Sequence, residues 1–323
     1  MNKKLIIIIG FITISAISLW LYSGAAKFVN YFSEKPLVSL EQVYESDSLK
    51  KVYGLASNKS PIDYGFKNVV ELQFSSVSDN LQLSGWFIKP DSAMPNKCLI
   101  FAHSAGKNRL EMLKYLKIIT EFELQDEFCI FIPDLRNAGN SKAAPTFMGY
   151  HMSDDITSSM MLINQKFQIN DFVLYGVAEG AMASALAVRK RESLFRLNHA
   201  NITVDKVILD SPISAARETL KRKGNDFSII NRNLGLWLYN KKVDDYLEKM
   251  DISILLSNLN KGYLIMQNIG DEETPTDILL SKLLDQPNIE LQLFDGDEHA
   301  GMIIDPDYSE RYIRLAGLFL SEE

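Results

Sequence analysis

From residue 98 onwards, short apolar runs alternate with helical stretches, and this alternation restricts the fold more than any other feature. The apolar runs occupy residues 98–102, 128–133, 172–175, 204–209, 263–266 and 289–294. They lack strict alternation of apolar and polar residues, which is typical of parallel strands covered on both faces. Helical patterns lie between and after them, at residues 109–122, 152–167, 180–194, 275–284 and 306–320. The sequence therefore predicts an α/β fold with a mostly parallel central sheet flanked by helices.

Two segments depart from this alternation. Residues 68–74 and 81–89 do alternate and are joined by a polar turn at residues 78–80, which predicts an antiparallel pair of strands. Residues 211–261 contain no convincing strand, so we expect a helical cap insertion at about 212–260 that lies over the sheet.

The N-terminus is the most apolar part of the chain. After Lys3 and Lys4, residues 5–26 carry no charge and, at about 1.5 Å per residue, span roughly 33 Å, enough to cross a bilayer core. Because both lysines precede this stretch, an uncleaved transmembrane helix leaves the N-terminus in the cytoplasm and the main domain outside it. The small residues at 23–26 keep a cleaved signal peptide, and thus a secreted protein, as the alternative.

These segments predict three parts of the chain. Residues 1–28 form the membrane anchor or signal peptide, and residues 29–66 form a juxtamembrane connector with one helix near 40–55. Residues 67–323 form a single α/β domain that includes the cap insertion.

Composition excludes several classes of protein. There are 34 Lys and Arg against 41 Asp and Glu, a net charge of −7, whereas a nucleic-acid partner usually requires a basic surface. Two cysteines cannot form a disulfide scaffold or a four-thiolate zinc site, and no pair of the four histidines has metal-ligand spacing. We expect no nucleic-acid partner, no metal and no cofactor. Cys98 and Cys129 are expected to be buried free thiols, with a disulfide as the alternative.

Polar segments that follow the predicted strands carry the residues best suited to chemistry, since open α/β sheets place their sites at the carboxyl ends of strands. In chain order these segments are His103-Ser104-Ala105-Gly106, residues 134–141, Gly176-Val177-Ala178-Glu179-Gly180, Gly270-Asp271-Glu272 and Asp297-Glu298-His299. Each segment is a weak signal alone, and the order of the five segments along the chain is the informative feature.

This series resembles the α/β-hydrolase superfamily, particularly its serine esterases, lipases and acyl-peptidases, over roughly residues 68–322. The resemblance implies the α/β-hydrolase fold, in which the serine of a G-x-S-x-G elbow attacks an ester, thioester or amide carbonyl. It also implies that Asp271 orients His299 as the base, and that the backbone N–H groups of Ser104 and Glu179 form the oxyanion hole. Residues 134–141 resemble the D-x-R-G-x-G-x-S motif, with Asn137 replacing its first glycine, and are expected to support the site.

The sequence departs from this family at the nucleophile. Ala178 occupies the serine position between Gly176 and Gly180, and alanine has no nucleophilic atom. Either the substitution is native and the protein is a pseudoenzyme, or it was engineered. The retention of Asp271 and His299 favours a recent or engineered change.

Two other residues are candidates for the roles of nucleophile and acid. Ser104 is an alternative nucleophile by an unrelated route, although a polar loop serine is the simpler interpretation. Asp210, at the end of a neighbouring predicted strand, is the second candidate for the acid. His103 is expected to hydrogen-bond the loop backbone, and His151 and His199 are expected on the surface.

The expected function is that of a membrane-anchored serine-hydrolase relative without its nucleophile. The alternative is a non-catalytic protein that binds a lipid-like or acyl ligand or a protein partner. Expected partners are membrane lipid, through the N-terminal helix, and a small acyl, lipid or peptide ligand. A basic cluster in the cap is interpreted as a solvated helix face, with an anion or lipid-headgroup site as the alternative: Arg217, Lys221, Arg222 and Lys223.

Overall fold

An eight-stranded sheet forms the centre of the computed structural model, which describes residues 3–55, 59–91, 95–257, 262–283, 286 and 289–322. The strands are β1 Asn68–Ser75, β2 Gln82–Lys89, β3 Lys97–Ala102, β4 Cys129–Asp134, β5 Asp171–Val177, β6 Thr203–Asp210, β7 Gly262–Asn268 and β8 Ile289–Phe294. Their order is β1-β2-β4-β3-β5-β6-β7-β8. Strand β2 is antiparallel to both β1 and β4, and the remaining neighbours are parallel. The predicted antiparallel pair and parallel sheet are therefore confirmed.

Helices cover both faces of this sheet. They are α1 Lys3–Ser33, α2 Leu40–Glu45, α3 Asp47–Tyr53, α4 Leu116–Glu121, α5 Met152–Phe167, α6 Glu179–Ala187, α7 Arg191–His199, α8 Ala216–Lys223, α9 Ile229–Lys242, α10 Ile252–Leu255, α11 Thr276–Leu283 and α12 Ser309–Ser321. Along β5, Phe172 and Leu174 join one apolar cluster, whereas Val173 and Tyr175 join the other. Because side chains alternate across a strand, this central strand contributes to the core on both sides.

Two predicted helices differ from the structure. The helix predicted at 109–122 begins as a 3₁₀ segment, Arg109–Tyr115, before α4. The helix predicted at 180–194 is divided into α6 and α7, because the chain leaves the helical conformation at Lys190. Its ammonium is buried there and donates to Asp154 at 2.7 Å, which connects this turn to α5.

Helix α1 is continuous with the folded domain. It ends at Ser33, beyond the boundary at residue 28 predicted for the anchor. Its last turns pack into the core, where Phe28 and Phe32 are buried and their rings lie 4.9 Å apart. The part from Ile6 to Ser33 is long and apolar enough to cross a membrane.

The connector also packs on the domain. The single helix predicted near 40–55 is divided at Ser46, whose hydroxyl accepts from the Leu49 N–H and caps α3. Val43, Tyr53 and Leu55 are buried beneath these helices.

The predicted cap is helical, as expected. It consists of α8, α9, the 3₁₀ segment Leu247–Lys249 and α10. The last residues of the predicted cap, the start of the anchor and the end of the helix predicted at 275–284 lie outside the described residues.

Candidate active site

Ala178 lies at a tight turn between the central strand β5 and helix α6. Its φ of 51° and ψ of −113° are strained for a residue with a side chain, and its N–H donates to the Asp210 carbonyl at 2.9 Å. Gly176 and Gly180 permit this turn, because a Cβ on the first would clash with the Gly180 carbonyl and one on the second with the backbone of Ala102. The local geometry is therefore that of a strand-to-helix elbow.

Asp271 and His299 meet at the same edge of the sheet. His299 follows β8, and its Nδ1 donates to Asp271 Oδ2 at 2.7 Å. The Asp271 carboxylate is buried and held in place by the Thr274 hydroxyl at 2.8 Å and by the Glu273 and Thr274 N–H groups at 2.8 and 3.0 Å. This arrangement fixes the imidazole and stabilises its protonated form, as an acid–base pair requires.

The contact shifts the pKa of both partners. Burial lowers the pKa of His299, but the hydrogen bond and charge of Asp271 outweigh this effect and raise it above the ordinary value. Burial raises the pKa of Asp271, but the hydrogen bond and charge of His299 lower it below the usual range. His299 is thus held ready to accept a proton.

A prediction for pH follows from this pair. In an NMR titration, the His299 imidazole is expected to titrate above about pH 6.5, and Asp271→Asn is expected to lower that midpoint. Since the folded-state pKa is raised, the pair stabilises the fold below about pH 6.5, and this contribution disappears as the pH rises through the folded-state pKa. The exposed His199 provides an internal control resonance. An unchanged His299 midpoint in the variant would contradict the pairing.

The two predicted oxyanion donors differ in their surroundings. Glu179 begins α6, and in the described part of the chain its N–H has no acceptor, as expected of a first-turn amide. The Ser104 N–H donates to Glu111 Oε2 at 2.7 Å, and the Ser104 hydroxyl donates to the same oxygen at 2.7 Å. The Glu111 carboxylate competes for the Ser104 N–H, so the oxyanion role of Ser104 stays a prediction. Burial raises the pKa of the Glu179 carboxyl, despite the nearby charge of Lys35.

Residues 134–141 are held by buried hydrogen bonds and an ion pair. Asp134 accepts from the Arg109 N–H at 2.8 Å and from the Asn140 N–H at 2.8 Å. Asn137 has a φ of 61°, a left-handed conformation that asparagine tolerates better than most residues, which explains why it can replace a glycine. Arg136 pairs with the buried Asp155 at 2.8 Å. None of these contacts involves His299 or Ala178.

The remaining candidates have structural partners. Asp210 accepts from the hydroxyls of Tyr115 and Tyr312 at 2.9 and 2.7 Å, and the hydrogen bond of His299 goes to Asp271. His103 uses both ring nitrogens on backbone groups, as predicted: Nδ1 contacts the Ser104 carbonyl at 2.8 Å, and Nε2 accepts from the Leu135 N–H at 2.9 Å.

The other two histidines do not line the cavity at the elbow. His199 is exposed, as predicted. His151 is only half-exposed, because its ring packs against Phe147 and Tyr150.

A cavity of about 670 Å³ opens at the elbow and is lined by Ala178, Ser104, Glu179 and His299. Part of its wall comes from outside the domain predicted at 67–323. Tyr31 and Phe32 of α1 and Lys35 of the connector also line it. These residues were not predicted, since only the fold brings the end of the anchor to the carboxyl ends of the strands.

The basic cluster of the cap is only partly a solvated face. Arg222 and Lys223 line the cavity, where the Arg222 guanidinium donates to the Glu272 and Glu273 carbonyls at 3.0 and 2.7 Å. Lys223 pairs with the Glu273 carboxylate. Both cations therefore have partners in the cavity wall.

Neither cysteine lines the cavity. Cys98 and Cys129 lie side by side in the register of β3 and β4 and are buried free thiols, as predicted. Within the described ranges, no group of three or more His, Cys, Asp or Glu side chains is arranged to hold a metal ion.

Solved structures with this arrangement of strands and helices are numerous. An esterase from Pyrococcus furiosus shares 18% identity with a TM-score of 0.61, covering 89% of this chain and 98% of that chain. An esterase from Thermogutta terrifontis shares 18% identity with a TM-score of 0.51, covering 78% of this chain and 98% of that one. The fold is that of the α/β hydrolases. An acylaminoacyl peptidase from Pyrococcus horikoshii also matches, with 16% identity and a TM-score of 0.56, over 81% of this chain and 43% of that chain.

Sequence comparison adds no family. No protein-family model matches the chain, and no curated protein matches it significantly. The predicted α/β-hydrolase fold is nevertheless confirmed by these structures.

Proposed function

We propose that this chain is a membrane-anchored protein of the serine-hydrolase type that retains the base, the acid and the pocket but lacks the nucleophile. The observation that carries this proposal is the strained elbow geometry of Ala178 together with the 2.7 Å contact between His299 and Asp271. A serine at this elbow would present its hydroxyl to the cavity that His299 also lines. The substrates in question are carboxylic esters, thioesters or amides.

The chemistry assigned to each residue follows from its surroundings. His299 would take the proton of the attacking hydroxyl, and Asp271 would stabilise the resulting imidazolium. The N–H of Glu179 would donate to the oxyanion of the tetrahedral intermediate, since it is aligned with the first turn of α6. Ala178 supplies no nucleophile, so the covalent step is absent from the chain as it stands.

Anchoring is the second part of the proposal. Helix α1 is continuous from Lys3 to Ser33, and its last turns are part of the domain core. Cleavage near residues 23–26 would cut this helix within its length rather than in a separate linker, which supports an uncleaved anchor. We place the N-terminus in the cytoplasm and the α/β domain on the other side, because Lys3 and Lys4 precede the apolar stretch.

Turnover of p-nitrophenyl esters tests the missing nucleophile. The Ala178→Ser variant of the full chain is expected to hydrolyse a short p-nitrophenyl ester, whereas the chain with Ala178 is expected to show no turnover above an unfolded control. The alternative is hydrolysis through Ser104, whose hydroxyl donates to Glu111. Glu111→Gln and Ser104→Ala in the Ala178 chain test this alternative. Turnover by the Ala178 chain that Ser104→Ala abolishes would instead assign the nucleophile to Ser104.

A second candidate function is binding without turnover, and the preserved cavity supports it. Burial of an acyl chain in a cavity of about 670 Å³ would stabilise the folded state. A fatty acid is therefore expected to raise the melting temperature of the Ala178 chain with increasing concentration. Met148 lines the cavity, so the Met148→Arg variant is expected to reduce this shift relative to the unchanged chain. Absence of any shift would contradict binding of this ligand class.

A further inference from the structure

The cap helix α9 lies beside the anchor helix α1, and the two run in the same direction. Gly24 of α1 faces the side chain of Asn231, which a Cβ on residue 24 would overlap. One turn further along both helices, Gly235 of α9 faces the Phe28 ring in the same way. Since these contacts are four residues apart on each helix and in the same order, the levels of the two helices can be matched residue by residue.

This match places the start of α9 beside the apolar stretch. Gly24 belongs to the uncharged residues 5–26, and Asn231 lies level with it. Ile229 and Ile230 precede Asn231, so at about 1.5 Å per residue they lie a few ångströms further toward the membrane-spanning part of α1. The beginning of the cap helix is thus level with residues expected inside the bilayer.

Side chains around this level are typical of a bilayer interface. Trp20 and Tyr22 on α1 are 67% and 58% exposed, and amphipathic aromatic rings favour the boundary between hydrocarbon and headgroups. Lys27 on α1 follows directly after the apolar stretch, and Arg232 on α9 lies level with its last residues, where cations can contact lipid phosphates.

The start of α9 exposes apolar surface at this level. Ile229 is 69% exposed and Ile230 is 61% exposed. The preceding Phe227 packs edge-on against Phe28 at 5.2 Å and holds the start of α9 to the anchor, and residues 228–231 carry no charge. Within the part of the chain that the structure describes, the two isoleucines stay open to solvent, and removal of apolar surface from water is favourable.

We propose that residues 228–230, the cap tip, insert into the same leaflet as α1 and form a second contact of this protein with the lipid bilayer. The inference rests on the anchoring proposed for α1. It is carried by the continuity of the exposed cap tip with the apolar surface of the anchor and by the matched levels of the two helices.

The contact determines where the candidate pocket opens. Tyr31 and Phe32, which line the cavity, lie on α1 five and six residues beyond Ala26, or about 8 Å along the helix. The headgroup layer of a bilayer is about 5–8 Å thick on each side. With the cap tip in the bilayer, the pocket opens at the outer edge of the lipid headgroup layer.

Depth-dependent quenching in liposomes tests the contact with the full chain. Cys98 and Cys129 are buried, so a single introduced cysteine can carry the fluorophore NBD. The variants are Ile230→Cys in the cap tip, Leu19→Cys in the apolar stretch and Phe195→Cys on α7; the last two residues are 70% and 63% exposed. In phosphatidylcholine liposomes with brominated acyl chains, quenching is expected at residues 19 and 230 and not at residue 195.

The outcomes separate the two proposals. Quenching at residue 19 without quenching at residue 230 leaves the anchor in place and overturns the cap contact. No quenching at residue 19 overturns the anchoring itself, and the cap contact with it. Equal quenching at residues 195 and 230 also overturns the contact, because it would reflect general adsorption of the domain.

Discussion

An Ala178→Ser/His299→Gln double variant is expected to hydrolyse p-nitrophenyl esters at least about 10³-fold more slowly than the Ala178→Ser single variant. The serine hydroxyl is a weak nucleophile without a base, and His299 is the base that the structure places in the same cavity. Glutamine keeps a polar side chain of similar length but cannot accept the proton near neutral pH. The measurement is kcat/KM of both variants at one pH.

The matched control for this comparison is His199→Gln in the Ala178→Ser background. His199 is exposed on α7 and lies away from the cavity, so its replacement is expected to leave kcat/KM within about twofold. A double variant that retains the full rate of the Ala178→Ser single variant would show that the introduced serine does not depend on the predicted base.

The largest expected loss of stability comes from Asp134→Ala. The carboxylate of Asp134 and the guanidinium of Arg109 are both fully buried and 2.7 Å apart. Removing Asp134 leaves the buried Arg109 with only the more exposed Glu71 as counter-ion at 3.2 Å, and breaking a buried pair typically costs about 3–5 kcal/mol. The free energy of unfolding is measured by denaturant titration of the full chain in detergent. If the alanine variant does not fold, Asp134→Asn removes the charge while keeping the shape.

Asp91→Ala is the control for a charge pair at the surface. Lys67 and Asp91 form a pair at 3.1 Å with side chains 78% and 55% exposed, so its loss is expected to change the unfolding free energy by less than about 1 kcal/mol. Equal effects of the two substitutions would contradict a larger contribution to stability from the buried pair of Asp134 and Arg109 than from the surface pair.

Much of the fold is local enough to be predicted from the sequence. Strands β3 to β8 are short apolar runs, and their predicted bounds agree with the structure to within about two residues because burial on both faces leaves a clear pattern. The division of 180–194 into α6 and α7 was missed, since it depends on the distant Asp154 that holds Lys190.

The candidate site was also predicted only in part. The pairing of Asp271 with His299 was predicted from the order of motifs that the resemblance supplied, and the choice over Asp210 is supported by the hydrogen bonds. The contribution of the anchor helix to the pocket was missed. Tyr31 and Phe32 show an apolar pattern that the end of any membrane helix would share, and only tertiary packing directs them to the elbow.

Labelling by a fluorophosphonate probe tests the central claim most directly, because the probe reacts covalently with an activated serine. In the Ala178→Ser variant, with its fold checked by circular dichroism, the probe is expected on residue 178 by peptide mass spectrometry, and the Ala178 chain is expected to remain unlabelled. A folded Ala178→Ser chain that the probe does not label would contradict the claim that this elbow, His299 and Asp271 form a serine-hydrolase site without its nucleophile.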